Sequence, residues 1–245
     1  MTNTVTEASL EDRRTDATTR SIRTAGLVAG VSLLAMSVVA GFGNLVAVEG
    51  LVTPGDAGRT ADDILAADGT FRAGVLALYV VVVLDVVVAW ALMRVFDPVS
   101  WSLSRLAAWF RLAYSAVFLV ATSQLAGIPD LLATGSSAFT ADQVEAQALH
   151  KVEAFNDIWY AGLVLFGVHL VLIGYLAYRS GYMPRLLGAL LVVAGLGYAF
   201  DSAGRVLAES PLEISTITFV GEFLLCLWLL IRGRRMTVGT DDHAI

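Results

Sequence analysis

Five ionisable side chains interrupt long apolar stretches: Asp85, Arg111, His169, Asp201 and Glu222. A charge inside a membrane-length run is costly and normally faces a protein interior or a cavity, so each is a candidate for handling a ligand or a proton. Arg111 at such a depth needs a carboxylate, and Asp85 is the first choice. That leaves Glu222 to His169. With a neutral imidazole, this group of four carries a net charge of −1. A buried site favours neutrality, so the residues predict a proton shared by His169 and Glu222.

A second group lies nearer one end of the runs. His150, Glu153 and Asp157 share one side of a continuous helix, and Asp201 is within reach of it. A divalent-metal site, and with it a membrane-embedded hydrolase using His150, Asp157 and Asp201, is the rival chemistry. However, His150 and His169 sit at different levels, and an acid favoured by a helix N-terminus accounts for Asp157 more simply. No metal, cofactor or catalytic residue is therefore assigned. The sequence also lacks GxxxxGK[ST], HExxH, CxxC and GxSxG patterns. Cys226, the single cysteine, reads as a small buried hydrophobe.

The elements that position these residues are apolar helices. Of the 245 residues, 57% are hydrophobic and only 16% charged, against roughly a quarter charged in a soluble domain. The charges gather at the ends of the runs. Spans are predicted near 24–48, 72–96, 102–127, 156–179, 184–206 and 213–232, each long enough to cross a bilayer. The expected fold is all-α, a polytopic transmembrane helical bundle occupying 21–233. The polar stretch 1–20 is read as a flexible tail and not a signal peptide, and 234–245 as a second polar tail. At about 1.5 Å rise per residue, Asp85, Arg111, His169 and Glu222 all come out about 14–17 Å from the same ends of their helices. Arg111, Ser115 and Thr122 fall within one narrow face of their helix, a polar stripe instead of an isolated charge.

Basic residues sort by loop. Arg13, Arg14, Arg20, Arg23, Arg94, Arg105, Arg179, Arg185, Arg232, Arg234 and Arg235 lie on one side, leaving Arg59, Arg72, Lys151 and Arg205 for the other. This positive-inside bias places both termini in the cytoplasm of a plasma-membrane protein. The opposite loops are acidic, which suits solvated surface. Within them, 140–155 can form an amphipathic helix lying at the outer surface, with Thr140 as its cap. Gly167 and Gly174, then Gly188 and Gly195, repeat at seven and predict close packing of helices four and five on a face opposite His169.

The run "LVLFGVHLVLIGYLAYRSGYMPRLLGALLVVAGLGYAFDS" resembles an uncharacterised prokaryotic membrane family, the domain of unknown function 4386. So do "TPGDAGRTADDILAADGTFRAG", "DPVSWSLSRLAAWFRL" and "GEFLLCLWLL". The resemblance covers roughly residues 22–233 and implies six spans with no assigned reaction. The functional expectation is non-enzymatic binding or translocation of a small or lipidic ligand around the polar cluster. The bilayer is the expected partner and nucleic acid is not; the alternatives are the hydrolase or a purely structural scaffold. Oligomeric state is left open.

Overall fold

In the computed structural model, which describes residues 2–135, 138–207, 214 and 220–236, every regular element is helical. The main helices are α1 (Thr2–Ala40), α2 (Ala57–Ala66), α3 (Asp68–Phe96), α4 (Trp101–Ala126), α5 (Ile128–Thr134), α6 (Ala141–Arg179), α7 (Arg185–Leu207) and α8 (Val220–Arg232). Among the described residues, five stretches are long and apolar enough to cross a membrane: Asp16–Leu51, Asp68–Phe96, Trp101–Thr134, Ala141–Arg179 and Arg185–Arg205. The sixth expected span is represented by α8, whose 13 residues extend only about 20 Å; the rest of 213–219, Ile214 apart, lies outside the described residues.

Among the described residues, six helices close into a ring. α1 packs on α3, α3 on α4, α4 on α6, α6 on α7, α7 on α8, and α8 returns to α1. Large apolar side chains such as Val31, Leu76, Val83, Trp109 and Leu196 remain exposed on the outside, where lipid would cover them. At the closing seam, Gly30 brings α1 against the backbone of Leu230, and the Cys226 thiol stands 3.6 Å from the Gly30 carbonyl. The seam gives Cys226 a packing role.

Local sequence explains where helices start and stop. Ser100 caps α4, accepting from the Leu103 amide, and Pro184 with Gly181 (φ +73°) makes the tight turn between α6 and α7. α1 begins at Thr2, because no glycine or proline interrupts the chain before Gly26. The stretch 2–20, read as a flexible tail, is thus helical and continuous with the first span.

The outer amphipathic segment differs from expectation for the same reason. Nothing between Ala141 and Ala161 breaks a helix, so 140–155 does not lie flat as a separate element. It extends the span upward, opened by a capping box of Thr140 and Gln143. α6 is therefore 39 residues and about 58 Å long, roughly twice the hydrocarbon thickness. Its buried stripe Val144, Ala148, Val152 packs on α2, which the first loop forms from Asp56 onward. The loop thus supplies the cover that a lipid surface was expected to give.

The α6–α7 pair forms the most extensive helix–helix contact in the bundle. A Cβ on Gly167 would sit 2.5 Å from the Gly195 carbonyl, and one on Gly174 would sit 2.7 Å from the Gly188 carbonyl. The reverse additions meet the same backbones. The seven-residue glycine repeats are the two halves of one antiparallel seam, with backbones too close for any side chain.

Candidate functional site

Inside the ring, α3, α4 and α6 bring three of the predicted residues into contact. Asp85, Arg111 and His169 are 2%, 1% and 0% exposed. The α4 register places Arg111 between the other two. Its Nη2 meets Asp85 Oδ1 at 2.5 Å as an ion pair, without a well-aligned hydrogen bond. Its Nη1 lies 3.1 Å from His169 Nε2, and the guanidinium carbon stands 5.2 Å from the centre of the Phe166 ring. The Ser115 hydroxyl lies 2.9 Å from Asp85 Oδ2 and 2.8 Å from the Arg111 carbonyl, with one proton for the two acceptors. Thr122, also buried, bonds back to its own helix at Phe118.

These contacts define the state of the imidazole. His169 Nδ1 is 2.9 Å from the Ala107 carbonyl, which can only accept, so Nδ1 carries the hydrogen. Nε2 faces an arginine N–H, which can only donate, so Nε2 presents its lone pair. The ring is neutral, and both its nitrogens are occupied. The pairing expected between His169 and Glu222 is therefore replaced, because Arg111 reaches across the α4–α6 contact to take the position a shared proton would need. A ¹⁵N spectrum of the imidazoles at neutral pH, with His169→Gln for assignment, shows His169 as the Nδ1–H tautomer. A protonated Nε2 would contradict this geometry.

Glu222, on α8, has a different environment. Its carboxyl lies beside the Tyr198 phenol of α7, and Arg111 and Asp85 are within electrostatic range. Among the described residues, its buried Oε1 has no hydrogen-bond partner. Tyr198 packs edge-on against Phe166 at 5.3 Å, which in turn lies 4.8 Å from Tyr114. Tyr114 accepts a 3.0 Å hydrogen bond from the Trp159 indole. An aromatic wall therefore joins the Arg111 group to the Glu222 group.

The outer candidates are engaged separately. His150, its side chain 84% exposed, pairs with Glu153 at 3.3 Å. Asp157 lies 3.9 Å from Arg205, whose guanidinium covers the Tyr160 ring at 3.7 Å. Asp201, buried in α7, accepts the Ile214 amide at 2.8 Å and so fastens the α7–α8 connection. Among the described residues, no cluster of three or more His, Cys, Asp or Glu is placed to hold a metal ion.

Sequence reasoning missed the Ala107 carbonyl and Tyr198. Ala107 carries no side-chain signal. However, it stands four residues before Arg111 on the same face, and a helical carbonyl keeps a second lone pair for such a donor. Tyr198 is visible as a phenol in an apolar run, but its proximity to Asp201 in sequence points to the wrong acid.

Comparison with known proteins places this architecture. The model of the family described as Domain of unknown function (DUF4386) matches residues 28–233. An uncharacterized protein of Archaeoglobus fulgidus is 35% identical over 163 residues, covering 66% of this chain and 85% of its own. No solved structure matches.

Proposed function

Since the chain belongs to the DUF4386 family, a helical membrane family, we propose that it binds a small or lipidic ligand within its helix ring, without chemical conversion, at the Glu222 carboxyl. We place it in the cytoplasmic membrane with both termini inside, as the sorting of arginines favours. The observation that carries the reading is the buried Oε1 of Glu222, which has no partner among the described residues. An acceptor left without a donor in an apolar setting costs roughly 1–3 kcal/mol, which a guest donor would recover. The ligand accordingly carries a hydrogen-bond donor or a positive charge beside an apolar body that fits the Tyr198 and Phe166 rings.

Asp85, Arg111 and His169 take a different role in this reading. They are closed to solvent and held to one another by the Asp85–Arg111 ion pair and the Arg111–His169 contact, so they lock α3, α4 and α6 and hold the aromatic wall in place.

Glu222→Gln keeps the side-chain shape and removes the acid. Native mass spectrometry of full-length protein, purified in mild detergent, finds a stoichiometric adduct on the wild type. The variant loses it by about ten-fold or more, the effect of a charge-assisted hydrogen bond, and melts as the wild type does. An adduct retained equally by Glu222→Gln, or a wild type without one, would overturn the proposal.

A further inference from the structure

At the end of the bundle where α6 turns into α7 and α8 terminates, a cavity of about 630 Å³ is lined by eight residues, among them Tyr182, Trp228, Arg232 and Arg235. The volume is that of a small-molecule pocket. Among the described residues, its lining includes two arginines and no acid. Neither Arg232 nor Arg235 has an ion-pair partner among the described residues, although Arg72, Arg94 and Arg205 elsewhere all do.

The walls are built rather than frayed. Tyr182 donates its phenol to the Val95 carbonyl at 2.7 Å and stacks on Phe96 at 6.5 Å, which fixes its ring. Past α8, the short turn Gly233–Arg235 is clamped to α1, because Arg23 Nε donates to the Met236 carbonyl at 2.7 Å and Gly233 packs over Gly26. Met236 is 3% exposed, so Arg235 projects from an anchored segment. Trp228 stands one helical turn before Arg232 on the same face of α8.

We infer that this cavity binds the phosphate of an anionic phospholipid, held between Arg232 and Arg235 with Trp228 and Tyr182 against the glycerol and upper acyl region. Two guanidinium forks match phosphate oxygens in geometry and charge. Tryptophan and tyrosine are the residues that favour the headgroup level of a bilayer, and the spans Ala141–Arg179 and Arg185–Arg205 put this turn at a membrane surface. The inference is independent of Glu222, which lies about 15 Å along α8 from Arg232.

The test is native mass spectrometry of the full chain titrated with dioleoyl phosphatidylglycerol or dioleoyl phosphatidylcholine. The wild type retains one phosphatidylglycerol in preference to phosphatidylcholine. Arg232→Gln/Arg235→Gln weakens that retention at least about ten-fold, whereas Arg179→Gln/Arg185→Gln, which removes equal charge beside the cavity, changes it less than about two-fold. In unmutated protein, phosphatidylglycerol brominated on its upper acyl chain quenches a fluorescence component that is missing in Trp228→Phe. Equal losses in the two arginine pairs would overturn the site in favour of a diffuse surface field. Full displacement of the lipid by inorganic phosphate at the same concentration would overturn the lipid assignment in favour of a free anion.

Discussion

Arg111→Met destabilises the protein by roughly 3–5 kcal/mol, the cost of leaving one member of a buried ion pair without its partner. Asp85, 2% exposed, then retains only the Ser115 hydroxyl, and that hydroxyl also faces the Arg111 backbone carbonyl. His169 Nε2 loses its donor as well. The double variant Asp85→Asn/Arg111→Met recovers much of the loss, because an apolar chain beside a neutral amide carries no uncompensated charge. Thermal unfolding of the full chain in detergent, arranged as a double-mutant cycle, reads the coupling directly. Ordinary interhelical hydrogen bonds in membrane proteins average only about 0.6 kcal/mol. A single-variant effect of that size, or a double variant no better than Arg111→Met, would show that the pair does not lock the bundle.

The ion pair also shows what apolar patterning reveals and what it hides. Charges at Asp85, Arg111 and His169 stand out against their neighbours, and equal distances from the helix ends bring them to one level before any fold is known. Which residue meets which is a matter of helix rotation and neighbour order, and these depend on side chains that carry no polar signal. Ala107 decides the tautomer of His169 through its backbone alone. Glu222 meets Tyr198 because α8 presses on α7, where a Cβ on Gly221 would lie 2.7 Å from the Leu190 carbonyl. The outer half of α6 departs from the sequence expectation for a related reason. An apolar stripe at Val144, Ala148 and Val152 fits a lipid surface as well as it fits another helix, and only the fold of the first loop into α2 distinguishes them.

The glycine seam supplies the second large effect, and its sign is not obvious from sequence. Replacing glycine by alanine inside a helix ordinarily stabilises by about 1 kcal/mol through helix propensity. Gly69→Ala, in α3 with nothing within 4 Å of the added methyl, follows that rule. Gly167→Ala/Gly174→Ala does the reverse. The new methyls would meet the Gly195 and Gly188 carbonyls at 2.5 and 2.7 Å, and backbone atoms of a packed helix cannot swing aside as a side chain does. Overpacking at each site costs about 1–3 kcal/mol, so two sites outweigh the propensity gain. The strain also reaches the polar group, because α6 presents its glycines to α7 and His169 to α4. Pushing α6 away from α7 moves the imidazole relative to Arg111 and Ala107. The double variant therefore melts below the wild type and shifts the His169 ¹⁵N signals, although neither glycine touches the ring. A double variant as stable as Gly69→Ala would mean that α6 and α7 can separate at no cost, which these backbone distances do not allow.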